Sequence, residues 1–144
     1  MADRIAIVVS TYNSNITTRL REGATSTLLS AGYTAEQIVV VEVPGAWELP
    51  LAAVQLAHRS DIEGVVTLGA VIRGETSHDQ HINRAVSEAL MRLMTETRKP
   101  IGFGLLTCNT LEQAIHRAGG NVGNKGEETA NAVLAMLDVA KQIG

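Results

Sequence analysis

Four short stretches of this chain carry the groups that could do chemistry, and each follows an aliphatic run. Ser10-Thr11-Tyr12-Asn13 offers a phenol ring. Pro44-Gly45-Ala46-Trp47-Glu48 offers an indole and a carboxylate. Arg73-Gly74-Glu75-Thr76-Ser77-His78 sets an imidazole beside small polar residues, and Thr107-Cys108-Asn109-Thr110 adds a thiol and an amide. A flat heteroaromatic ligand would stack well on Tyr12. His78 titrates near neutrality and suits proton transfer. Gly74 to His78 open a long helical period, so their backbone N–H groups would face outward at the positive end of a helix dipole, an arrangement suited to phosphate. Plainer readings stand beside these: Thr76 or Ser77 as a simple cap, His78 as a structural histidine, Trp47 as a cover for the core. His81 could join His78 as a second metal ligand. The spacing is i to i+3, and the other strand ends add no histidine and only the single Cys108, so a metal is not expected. His58 and His116 read as ordinary helix-surface residues.

The elements that must position these groups follow from hydrophobic period. Ile5–Val9, Ile38–Val43, Val65–Ile72 and Ile101–Leu106 are Val- and Ile-rich runs, read as parallel strands buried on both faces. Ile16, Leu20, Ala24, Leu28 and Ala31 recur at helical spacing and stop at Gly32. Leu49 to Ala57 is a shorter helix, and Ile82 to Met94 carries a broad apolar stripe. Thr110 with Gln113 resembles a capping box for a short helix running to Ala118, and Ala130 to Leu137 mark the last helix. The order β-α-β-α-β-α-β-α-α predicts a three-layer α/β/α sandwich on a four-stranded parallel sheet with flavodoxin-like topology. Ligands of such sheets bind beyond the carboxyl ends of the strands, where the four stretches converge. The segment from Gly119 to Gly126 superficially looks like a phosphate loop. It follows a helix and its lysine does not follow a glycine, so it reads as a flexible turn between helices.

Composition narrows the field. The 144 residues fit one domain spanning 1–144. A net charge of −3, with twelve Lys and Arg scattered along the chain, gives no basic stripe and argues against nucleic acid. No apolar run reaches membrane-span length, and the single cysteine precludes an internal disulfide. With no signal-like N-terminus, these features predict a cytoplasmic protein. A receiver-type signalling domain would need acids in the strand-one loop, which has none. A flavodoxin-like flavin carrier would need a hydroxyl-rich phosphate loop there, which Ser10 to Asn15 offers only vaguely.

From Ile5 to the last helix the segments resemble the lumazine synthase family. The shared marks are Pro44-Gly45-Ala46-Trp47-Glu48, Leu68-Gly69-Ala70-Val71-Ile72-Arg73-Gly74, His78 and Phe103-Gly104. Further marks are Leu111-Glu112-Gln113-Ala114-Ile115, Arg117-Ala118-Gly119 and Gly123-Asn124-Lys125-Gly126, all in order. The resemblance implies condensation of 5-amino-6-(D-ribitylamino)uracil with 3,4-dihydroxy-2-butanone 4-phosphate, through a Schiff base, phosphate elimination and ring closure, without cofactor or metal. It gives Tyr12 the stacking role on the pyrimidine and Ala46, Trp47 and Glu48 the ribityl chain. Ala70, Val71 and Ile72 would read the pyrimidinedione edge through backbone groups. Phe103 and Lys125 would complete the pocket from a neighbouring subunit. Glu75 and Thr76 would offer N–H groups to phosphate, Arg117 of a neighbour would supply charge, and His78 would move protons. It also implies a homopentamer, extended by the short turn between the last two helices to a sixty-subunit icosahedral shell, with riboflavin synthase as a partner. Departures from the family pattern are Asp79-Gln80 where an aromatic and then an acid are usual, His116 in place of an acid, Asn121 in place of a base, and no extra N-terminal strand.

Overall fold

The structure, a computed structural model, describes residues 2–74 and 78–144. Its first strand, β1 (Arg4–Ser10), shows how the two faces arise: Ile5, Ile7 and Val9 enter one core, while Ala6 and Val8 enter the other. A strand buried on both faces must lie inside a sheet. β1 accordingly pairs in parallel with β2 (Ile38–Val43) on one side and β3 (Ile62–Ile72) on the other; β3 in turn pairs with β4 (Ile101–Cys108). The order β2-β1-β3-β4, all parallel, is the expected flavodoxin-like sheet.

Helices cover both faces. α1 (Ser14–Ser30), α4 (Leu111–His116) and α5 (Lys125–Ile143) bury Leu20, Leu28, Ala114 and Val133 against the Ile5 face. α2 (Leu49–Ala57) and α3 (His78–Thr97) bury Leu49, Leu56, Val86, Leu90 and Leu93 against the Ala6 face. Each such leucine or valine side chain contributes roughly 1.5–3 kcal/mol on burial. α1 ends in a paired turn at Gly32 (φ 104): Tyr33 N–H donates to Leu28 O and Gly32 N–H to Leu29 O.

Several boundaries differ from the sequence reading. β3 starts at Ile62, because Glu63 and Gly64 interrupt the apolar run yet sit against neighbours that favour a strand; a Cβ at Gly64 would meet Val133 Cγ1 at 2.9 Å. β4 continues to Cys108, whose carbonyl accepts Arg73 N–H at 2.7 Å. α4 stops at His116, because Arg117 and Ala118 turn into the following loop. The capping box is half formed as expected. Thr110 Oγ1 accepts from Gln113 N–H, but Gln113 Oε1 reaches the amide of Asn109, one residue earlier.

The glycine-rich turn is not the loose connector expected. Lys125 N–H donates to Arg117 O, Gly119 N–H to Gly123 O, and Val122 N–H to His116 O. Asn124 caps α5 by accepting from Gly126 and Glu127 N–H, while its Nδ2 donates to Arg19 O. Gly126 lies so close to α1 that a Cβ would stand 1.9 Å from Leu20 O.

Candidate active site

β3 outruns β1. Its pairing with β1 ends at Leu68, but its pairing with β4 continues to Ile72. Along a strand, backbone groups alternate in direction. Arg73 N–H points to β4, while Ala70 O points the other way and accepts Asn13 Nδ2 at 2.9 Å. Ile72 therefore turns its N–H and C=O toward the side that β1 has vacated.

A cleft of about 380 Å³ opens there. It is lined by Tyr12, Gly45, Ala46, Trp47, Glu48, Val71, Ile72, Gly74, His78, Asp79 and Ile82. Thr11 N–H donates to Val43 O and Tyr12 N–H to Pro44 O, tying the loop after β1 to the exit of β2. Trp47 and Glu48 sit in a single 3-10 turn, Ala46–Glu48, that leads into α2 with Pro50 in its first turn. Trp47 is 61% exposed and Tyr12 73%, so neither ring is a cover for the core. Both stand out over the hollow, as rings that stack on a ligand must. His78 is the first described residue of α3 and is exposed; Asp79, beside it, is only 7% exposed. The lining thus carries two carboxylates and an imidazole, with no lysine or arginine among the described residues.

Phe103, Arg117 and Lys125 lie elsewhere. None of them lines the cleft. Phe103, partly exposed, is on the edge strand β4. Arg117 ends α4 near Cys108, whose thiol is pushed up by burial and pulled partly back by that guanidinium. Lys125 begins α5. Among the described residues neither cation has a carboxylate within ion-pair distance. Ala70 faces the α1 side of the core and does not line the cleft, and its carbonyl is taken by Asn13. Glu75 and Thr76 lie outside the described residues. His58 and His116 are the surface histidines expected: His58 Nδ1 is 2.8 Å from Val54 O, and His116 faces Glu112 across 3.7 Å. No cluster of metal-ligating side chains occurs among the described residues.

The family model for 6,7-dimethyl-8-ribityllumazine synthase matches residues 2–141. Relatives bearing that same name are 52% identical in Rhodopirellula baltica, over 93% of this chain and 86% of the relative, and 45% identical in Aquifex aeolicus, over 97% and 91%. A third, from Pediococcus pentosaceus, is 41% identical over 97% of this chain and 90% of its own. The chain belongs to the lumazine synthase family. Membership is consistent with the four-stranded parallel sheet and the helices around it. Within this lumazine synthase family chain, sequence reasoning named Asn13 and Gly45 in the strand-end stretches without giving either a role, and did not place Ile82 at the site. Asn13 had a signal that could have been read: asparagine tolerates left-handed backbone and often sits where a strand turns into a helix. Ile82 was read only as part of the apolar stripe of α3, because period alone does not say which end of a buried face opens into a hollow.

Proposed function

We propose that the chain condenses 5-amino-6-(D-ribitylamino)uracil with 3,4-dihydroxy-2-butanone 4-phosphate to 6,7-dimethyl-8-ribityllumazine, releasing phosphate and water, as a transferase of riboflavin biosynthesis. The observation that carries this reading is the cleft, in a chain of this family, where two exposed rings, a carboxylate and His78 meet the free backbone edge of β3. Tyr12 stacks on the pyrimidine. Ala46, Trp47 and Glu48 hold the ribityl chain, with Glu48 accepting hydrogen bonds from its hydroxyls. Ile72 presents its backbone N–H and C=O to the pyrimidinedione with Val71 beside it, Ala70 being tied to Asn13 instead, and His78 moves protons during Schiff-base formation, phosphate elimination and ring closure. Glu75 and Thr76 offer N–H groups to the phosphate. The reaction has no net oxidation or reduction, so the reading assigns it no redox cofactor, and it assigns no metal. Much of the acceleration comes from holding two reactants together.

A phosphate ester is held most strongly with a cation beside it, and the cleft lining carries none among the described residues. This supports a site completed by Phe103, Arg117 and Lys125 of a neighbouring copy, in a homopentamer of chains that each act as one domain over residues 1–144. A guanidinium fork against phosphate is a strong charge-assisted contact. The reading extends to a sixty-subunit shell, to riboflavin synthase as a partner, and to the cytoplasm as the place of action. Among the described residues no helix is long and apolar enough to cross a membrane.

Purified protein mixed with both substrates should develop lumazine fluorescence and release phosphate in step; binding without turnover would make the protein a lumazine carrier instead. Light scattering checks the assembly. Multiples of the 15.3 kDa chain place a pentamer at about 77 kDa and a shell near roughly 0.9 MDa. An active monomer would rule out the shared site.

A further inference from the structure

The residue ahead of a helix ordinarily turns its side chain back onto the first N–H groups of that helix. Asn13 precedes α1 and makes no such bond. Its Nδ2 donates to Ala70 O at 2.9 Å, 57 residues away at the carboxyl end of β3. Its backbone sits at φ 61 and ψ 47, in the left-handed region. Among the described residues the other non-glycine at positive φ is Arg98, immediately after α3, where left-handed turns commonly close a helix. Asn13 opens a helix, so helix closure does not account for its conformation. Strain of this kind persists only where the surroundings impose it, and it gathers at functional sites.

The tie has one evident beneficiary. Tyr12 N–H is bound to Pro44 O and Thr11 N–H to Val43 O, which anchors the loop to the exit of β2. Asn13 anchors the same loop to the exit of β3. The Tyr12 ring lines the cleft and is 73% exposed, so its own packing does little to fix where it points. Its direction is set by the backbone that carries it. We propose that Asn13 is a positioning residue for the reaction: its amide tie to Ala70 fixes the direction in which Tyr12 meets the pyrimidine substrate. This rests on the reading of the cleft as the pyrimidine site.

Asn13→Gly keeps the left-handed backbone without steric cost and removes no capping bond, so the variant should fold, with its melting temperature lowered only by the loss of the tie to Ala70. The Michaelis constant for the pyrimidine should rise about tenfold while kcat changes by less than about threefold and the constant for the butanone phosphate holds. Asn13→Asp, which tolerates the same backbone but sets a carboxylate against Ala70 O, should lose at least as much. In a Tyr12→Ala background, adding Asn13→Gly should change pyrimidine affinity by less than about twofold, because no ring is left to position. Additive effects of the two substitutions, or equal rises in both Michaelis constants, would overturn the proposal. A second measurement needs no substrate: the Thr11 and Tyr12 amides should exchange hydrogen about tenfold faster in Asn13→Gly. Unchanged exchange would overturn the tie whether or not the protein makes lumazine. Failure of the parent protein to make lumazine would overturn the functional reading alone.

Discussion

Where Tyr12, Trp47 and His78 stand exposed around a hollow, Arg117 and Lys125 lie half-buried in a loop stapled to itself. The cleft has volume, aromatic surface and negative charge but no cation among the described residues. The β4–α4–α5 region has two cations without carboxylate partners among the described residues, and an aromatic on an edge strand. The difference shows two ways of fixing a side chain through its backbone. Tyr12 stands exposed on a loop whose peptide is tied to the exit of β2, whereas Arg117 and Lys125 are half-buried and joined through Lys125 N–H donating to Arg117 O. Each region holds what the other lacks, the complementarity a head-to-tail contact between copies would use.

The largest expected effect breaks that complementarity directly. Arg117→Ala should lower kcat/KM for the butanone phosphate by about 10³-fold, with pyrimidine affinity nearly unchanged. Mixing this variant with a cleft variant such as Tyr12→Ala, under conditions that reassemble oligomers, should restore part of the activity. Recovery fails if both regions serve the same subunit's site.

Gly126→Ala comes next and strikes the stapled loop rather than a charge. The new methyl would meet backbone at Leu20 O, which no rotamer can relieve, so a loss of about 3 kcal/mol or a failure to fold is expected. Chemical denaturation of the variant checks this. A parent-like midpoint would mean that α1 and α5 separate easily and that the loop is less rigid than its hydrogen bonds imply.

His78→Ala should slow turnover by about 10²-fold or less without abolishing it, because positioning of the reactants survives the loss of acid–base help. Single-turnover kinetics would separate this from a binding defect. Complete inactivity in a folded variant would shift the weight from the cleft's shape to its imidazole.

The smallest effect is a control away from both regions. Tyr33 Oη donates to Glu63 near the amino end of β3, and burial, that hydrogen bond and the nearby charges of Glu63 and Asp138 all raise its pKa. Below the ordinary tyrosine pKa of about 10 both folded and unfolded chains keep the proton; above it the unfolded chain releases it first, so stability falls as pH rises. Tyr33→Phe should cost about 1 kcal/mol near pH 8 through the lost hydrogen bond, a gap that narrows above pH 10. Thermal melts across that range test it, and activity at pH 8 should not change.

Much of the architecture was legible locally. Ile38–Val43 and Leu49–Ala57 coincide with β2 and α2, because a continuous Val run and an Ala/Leu run at helical spacing each have one good local solution. The site was legible as a set of strand-end residues for the same reason: parallel topology puts all carboxyl ends on one rim. Illegible parts depended on partners far along the chain. Glu63 and Gly64 look like a loop until Tyr33 meets the one and Val133 the other, and Gly119 to Gly126 look loose until Asn124 finds Arg19 O across 105 residues.

The sequence by itself determined the order of strands and helices, the family, and the chemical groups available at the sheet's carboxyl end, since all of these follow from residue types and short-range period. Only the tertiary structure decided how those groups divide. Trp47 turns outward, Asp79 lines the hollow while buried, Asn13 leaves its helix to hold Ala70, and Arg117 settles by Cys108 away from the cleft. Each outcome depends on which surfaces remain after two cores have closed on a single sheet, and that remainder is a property of the packed chain as a whole.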